Sequence, residues 1–207
     1  MSLDSWLLFM AVSLLPAISP GPGVLLSISN ALRSGSTATF VSASGNAIGL
    51  VILGYAVTMG LGALMITSAL AFTVVKLIGA VYLVYLGVKL FRDKSAFVAV
   101  ENANAPRQSY WQLFSTGLII SVTNPKAIFV IAALFPQFLV HGTYNLADVS
   151  ILSFTYAVLC FLNHALLAMF GGKIRKVLKT QKTITRIRKS LGVAFVGFGA
   201  ALASVSR

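Results

Sequence analysis

Two short interruptions hold most of the polar chemistry in this 207-residue chain. One is Ser19-Pro20-Gly21-Pro22-Gly23 and the other is Thr123-Asn124-Pro125-Lys126; each lies inside a long apolar run. Proline removes an N–H and clashes with the preceding turn, and glycine loosens the backbone, so the first motif breaks a helix. Asn is a favoured N-cap and Pro a favoured first helical residue, so Asn124-Pro125 reads as the start of a new half-helix. Backbone broken at membrane depth leaves polar groups that only protein or a wet cavity can satisfy. The half-helix that follows each break begins with a partial positive charge, which suits a carboxylate.

Lys126 adds a full charge more than a dozen residues from either end of its apolar run. A lysine at such depth costs ~3 kcal/mol on insertion scales, so it is expected to face a cavity or a partner. The four acids, Asp4, Asp93, Glu101 and Asp148, all lie outside the apolar runs. A substrate carboxylate is therefore the expected partner of Lys126; the alternative is a structural lysine that caps helix-end carbonyls. Asn46 and Asn163 are also polar groups inside apolar runs, able to bind a substrate amine or to bond across helices. His164, whose unperturbed pKa is near ~6.5, is a proton-coupling candidate together with Lys126, with a hydrogen-bonded packing role as its alternative. The expected substrate-binding set is Ser19, Pro20, Gly21, Pro22, Gly23, Asn46, Asn124, Pro125 and Lys126.

Other chemistries are poorly supplied. A metal site wants convergent Cys, His or carboxylate ligands, and this chain has one cysteine, two separated histidines and no acid in an apolar run. No metal and no cofactor is expected. Cys160 stands alone, so an intramolecular disulfide is excluded, and it reads as a packed small hydrophobe.

The elements that position these residues are membrane helices. Hydrophobic residues make up 57% of the chain and charged residues only 10%, against ~25% charged in average soluble domains. Six apolar segments stand out, roughly Trp6–Leu32, Thr37–Leu64, Ala69–Phe91, Trp111–Val140, Val149–Phe170 and Leu191–Val205. The first and fourth are long for a single crossing, and the sixth is short. The N-terminus lacks a basic region and a clear cleavage site, so the first run is expected to be a retained span rather than a signal peptide.

The net charge of +12 does not point to nucleic acid, because the basic residues lie in short segments between apolar runs. Arg33 follows the first run, and Lys89, Arg92, Lys94 and Arg107 flank the connection after the third. Eight more basic residues, Lys173, Arg175, Lys176, Lys179, Lys182, Arg186, Arg188 and Lys189, precede the sixth. Basic connections thus alternate with neutral ones, as six crossings require, and the positive-inside rule places both termini outside. The basic stretches are expected to meet anionic lipid.

Residues 93–109 read as a cytoplasmic linker between two halves, about 1–92 and about 110–207, within a single transporter domain. Three spans per half is an odd number, so the second half is inverted relative to the first. The expected fold is an all-α integral membrane protein of six transmembrane helices, an inverted 3+3 repeat with helices one and four broken. A faint echo supports it: Gly79-Ala80-Val81-Tyr82 with Gly87 in the third span, and Gly192-Val193-Ala194-Phe195 with Gly199 in the sixth. Gly45 and Gly49 form a small-xxx-small pair, suited to close helix packing in the monomer or in a homo-oligomer.

The Pro-Gly-Pro motif of the first span, Gly79 with Tyr82-Leu83 and Leu86-Gly87 in the third, and Asn124-Pro125-Lys126 in the fourth resemble the LysE/RhtB family of bacterial amino-acid exporters. The resemblance covers nearly the whole chain. It implies an inner-membrane exporter of amino acids or related metabolites, driven by the proton motive force. A cationic substrate side chain would want an acid in the cavity, and this chain offers none. That favours neutral substrates such as homoserine, threonine or leucine-like amino acids. An exporter of another small metabolite or ion is one alternative. The other is an intramembrane serine hydrolase built on Ser42-Ala43-Ser44-Gly45 and His164, whose catalytic sequence context is absent.

Overall fold

The computed structural model describes residues 1–67, 69–92, 108–139, 145–178 and 181–204. Among these residues the secondary structure is all helical: α1 (Leu3–Ile18), α2 (Pro22–Arg33), α3 (Gly35–Thr67), α4 (Ala69–Arg92), α5 (Tyr110–Val122), α6 (Pro125–Phe138), α7 (Leu146–Leu178) and α8 (Gln181–Ser204). Of the expected linker at 93–109, residues 93–107 lie outside the described residues, as do the side chains of Lys173 to Lys182.

Two helix segments are long and apolar enough to cross a membrane, Gly35–Gly60 of α3 and Leu146–Phe170 of α7. α1 with α2, and α5 with α6, pass the same test as pairs, bent by 60° and 53°. The described residues therefore hold two crossings by length and composition, or up to four if each bent pair is one span. The surface is rich in large apolar side chains, among them Leu14, Ile48, Ile52, Val81, Ile119, Phe154 and Leu166. Water would penalise such a surface, and hydrocarbon does not.

Local chemistry explains each break. α1 ends at Ser19, whose N–H bonds Leu15 O at 3.1 Å, just before Pro20. α2 restarts with Pro22 as its first helical residue. α5 begins with a reciprocal capping box between Ser109 and Gln112 and ends at Thr123. α6 restarts at Pro125, and the Asn124 side chain accepts from Lys126 N–H at 3.0 Å. Proline without an N–H suits a helix start, where that donor would be unpaired anyway.

The basic stretch before the last apolar segment differs from expectation. It is not a loop: α7 runs on to Leu178 and α8 begins at Gln181, ten residues before the apolar segment that marked it. Lys and Arg are good helix formers, so helices extend through them after the apolar signal has ended.

Side-chain contacts give the directions of packing. α1 lies along α7 in the same direction, through Trp6 Nε1 to Thr155 Oγ1 (3.0 Å) and Asn163 Nδ2 to Ala17 O (3.2 Å). α5 lies along α3 in the same direction; a Cβ at Gly45 would overlap the Phe114 carbonyl, and one at Gly49 the Ser121 hydroxyl. α3 runs against α7, with Phe40 beside Phe161 and Tyr55 hydrogen-bonded to Ser150. α4 runs against α8, where Gly87 abuts Gly192 and Gly199 abuts Ala80. Small residues let backbones approach, which is the main source of helix attraction where lipid removes the hydrophobic one.

The core gathers α1, α3, α6 and α7. Phe9 is fully buried, edge-on to Phe135 and Phe138 with centroids 5.7 and 5.2 Å away. Tyr82 of α4 stacks on Phe129 of α6 at 4.1 Å. Cys160 is buried in this core as a free thiol.

Candidate functional site

The two breaks meet. Lys126 stands in the first turn of α6, and its ammonium reaches the end of α1. Its Nζ donates to Pro16 O, Ser19 O and Ser19 Oγ, each at 2.9 Å. Ser19 Oγ in turn donates to Pro16 O at 3.1 Å. All three ammonium protons thus have acceptors, and the positive charge sits on the negative end of a helix. A cation there gains up to ~2 kcal/mol in a partly buried setting, comparable with the ~3 kcal/mol insertion cost. The capping arrangement weighed from the sequence is the geometry found here, and no carboxylate among the described residues takes part.

The first break borders the same charge. A Cβ at Gly21 would stand 3.2 Å from both Cε and Nζ of Lys126. Pro20 and Pro22 flank that glycine and set the bend. Two residues on, Gly23 faces other helices: a Cβ there would stand 3.1 Å from Asn46 Nδ2 of α3 and 3.5 Å from His164 Cε1 of α7. Gly21 and Gly23 thus lie between Lys126 on one side and Asn46 with His164 on the other. Of the expected set, Asn124 and Pro125 serve locally, as the cap and first residue of α6.

Other polar residues are committed elsewhere. Asn163 bonds across helices to Ala17 O. Ser42 Oγ accepts from Asn30 Nδ2 at 2.9 Å and donates to Thr39 O, and Ser44 Oγ donates to Phe40 O. His164 Nδ1 is buried without a hydrogen-bond partner among the described residues. The hydroxyls needed for a Ser–His hydrolase are therefore turned to other acceptors. Among the described residues no group of three His, Cys, Asp or Glu side chains could hold a metal. An apolar groove of about 450 Å³ between α3 and α7, lined by Ile48, Phe154, Val158 and Phe161 among others, contains none of the expected binding residues.

Sequence reasoning missed the acceptors of Lys126. They lie more than a hundred positions away and are backbone oxygens except for one hydroxyl. Pro20 was the available signal, because it has no N–H to bond the Pro16 carbonyl four residues back, which leaves that oxygen uncovered at the end of α1.

A bundle of apolar helices with two breaks joined at one buried ammonium is the architecture of a membrane transporter. The chain matches the LysE type translocator family over residues 14–206. It belongs to that family, and it is a translocator rather than an enzyme. It is 35% identical to an uncharacterized membrane protein of Vibrio cholerae, over 99% of this chain and 98% of the relative. It is 33% and 32% identical to proteins of Salmonella typhimurium and Salmonella typhi, each named a homoserine/homoserine lactone efflux protein, with the same coverage. No solved structure matches it.

Proposed function

We propose that this chain exports small neutral amino acids, such as homoserine, threonine and leucine-like substrates, across the bacterial inner membrane at the expense of the proton motive force. The names of the two Salmonella relatives support the substrate class. The observation that carries the mechanism is the reach of Lys126 from one helix break to the other. It makes the two interruptions a single polar junction in an otherwise apolar bundle. In the transport cycle a substrate carboxylate competes with the α1 oxygens for this ammonium, so that binding loosens the joint between the halves. Neutral side chains are favoured because no acid stands beside the junction among the described residues. Of the two acids described, Asp4 lies in the first turn of α1, and Asp148 pairs with the Met1 amine at 2.9 Å.

The proposed architecture is one transporter domain of six crossings, with α1–α2 and α5–α6 each a broken span and α4 and α8 the third and sixth. The packing directions support it. Spans that alternate in direction make α1 parallel to α7 and α3 parallel to α5, and set α3 against α7 and α4 against α8; all four relations hold in the contacts above. An inverted repeat explains why α1 accompanies α7 as α5 accompanies α3. In this reading both termini face outward, the segment near 93–109 joins the halves on the cytoplasmic side, and the basic ends of α7 and α8 meet anionic lipid.

An overexpression screen tests the function. Cells carrying the wild-type chain are expected to tolerate growth-inhibiting external homoserine or threonine, and cells carrying Lys126→Ala at equal membrane abundance are not. Protection only against a metal or an unrelated drug would overturn the substrate class.

A further inference from the structure

The buried hydroxyls of this bundle fall into two groups. Around the turn from α2 to α3 they are paired. Asn30 Nδ2 donates to Ser42 Oγ at 2.9 Å, Ser42 Oγ donates to Thr39 O at 3.2 Å, and Thr39 Oγ1 donates to Gly35 O at 3.1 Å. Three others have no hydrogen-bond partner among the described residues: Ser13 of α1, Thr58 of α3 and Ser153 of α7. They are 0%, 2% and 1% exposed. A hydroxyl shut away without a partner has given up water and gained nothing in return.

The unpaired three lie on the other side of the Lys126 junction, and in one row. α1 meets α7 at Trp6 with Thr155 and at Ala17 with Asn163, so Ser13 stands level with Cys160. α3 meets α7 at Tyr55 with Ser150, so Thr58, one turn further on, stands level with the start of α7. Ser153 presses on α3 at Gly54, where a Cβ would overlap its hydroxyl. Ser153, Tyr156, Cys160 and His164 recur every three or four residues, and so share one face of α7. All four are buried, and the Tyr156 hydroxyl and Cys160 thiol are hydrogen-bonded to each other. The Lys126 charge is felt at both Cys160 and His164. Polar groups thus run from the junction to the end of the bundle that holds the starts of α1 and α7. Aromatic rings close that end. Phe9 packs edge-on against Phe135 and Phe138, and Phe135 Cε2 comes to 3.3 Å from a Cβ placed at Gly54, beside Ser153.

We propose that this row lines the route by which the amino acid leaves the junction for the outside, with Phe9, Phe135 and Phe138 as its outer gate. The inference rests on the exporter reading and topology above. When α1 and α6 part from α3 and α7 at this end, Ser13, Ser153, Tyr156 and Cys160 become the walls of a polar passage. Water and the charged ends of the amino acid then supply the partners that the hydroxyls lack when the gate is shut. The open state gains hydrogen bonds that the closed state does not have, which keeps the two states close enough in free energy to interchange.

Cys160 is the one cysteine of the chain, so wild type carries its own probe. Right-side-out spheroplasts exporting L-homoserine are treated with the membrane-impermeant anion 2-sulfonatoethyl methanethiosulfonate. Cys160 is expected to be modified from outside, and efflux to fall at least tenfold as it is. The double variant Ser13→Ala, Ser153→Ala removes hydroxyls that have no partner in the closed state. It is expected to unfold at a temperature no lower than wild type, and yet to slow both modification and efflux at least fivefold, because only the open state loses hydrogen bonds. Hydroxyls with a merely structural role would lower the unfolding temperature and leave the rate of modification unchanged. Homoserine export by wild type with Cys160 untouched from outside, or a double variant modified as fast as wild type, overturns the route and leaves the exporter reading standing. A wild-type protein that exports neither homoserine nor any other amino acid overturns both.

Discussion

Lys126 brings one positive charge into an apolar bundle and finds three oxygens at the end of α1. Its depth and the absence of a nearby acid were legible in the sequence, because both follow from position and composition. The identity of its partner was not, because backbone oxygens become acceptors only where a helix ends, and tertiary packing decides which helix end is near. His164 shows the same limit. The sequence marked it as ionisable, but its place beside Gly23 and Asn46 depends on α2, α3 and α7 packing together. As the proton-coupling candidate with an unpartnered ring nitrogen, His164 carries a residue-scale prediction. In proteoliposomes His164→Gln is expected to allow downhill amino-acid exchange within about threefold of wild type, while abolishing uphill movement driven by a pH gradient. Gradient-driven accumulation at the wild-type level would assign the proton to another group.

At the scale of elements, the breaks were the most legible feature. Ser19-Pro20-Gly21-Pro22-Gly23 and Asn124-Pro125 act through local geometry, and the helices end and restart at those residues. The boundaries of α7 and α8 were less legible, because apolarity marks what lipid touches whereas helix propensity extends through Lys and Arg beyond it. The paired glycines of α4 and α8 were visible only as a weak echo, although Gly87 and Gly192 prove to abut. Their contact is what places α8 against a helix of the first half. The proposed role of α8 as the sixth crossing predicts an external C-terminus. A topology reporter fused after Arg207 is expected to read outside, and a cytoplasmic signal would remove either that crossing or another one.

At the scale of the molecule, the two bent helix pairs are joined at one ammonium. The bond between α6 and α1 ties elements from the two halves, so anything that competes for it changes how the halves hold together. Gly45 and Gly117 let α3 and α5, one from each half of the chain, pack backbone against backbone, a second tie between the halves. The central claim is that this junction binds the amino acid that the protein exports. Its most direct test is the flux of radiolabelled L-homoserine and L-threonine in proteoliposomes under an imposed pH gradient, with wild type compared with Lys126→Ala. The account predicts gradient-dependent movement by wild type and at least a hundredfold slower movement by a folded Lys126→Ala protein. Equal flux through the two would contradict it.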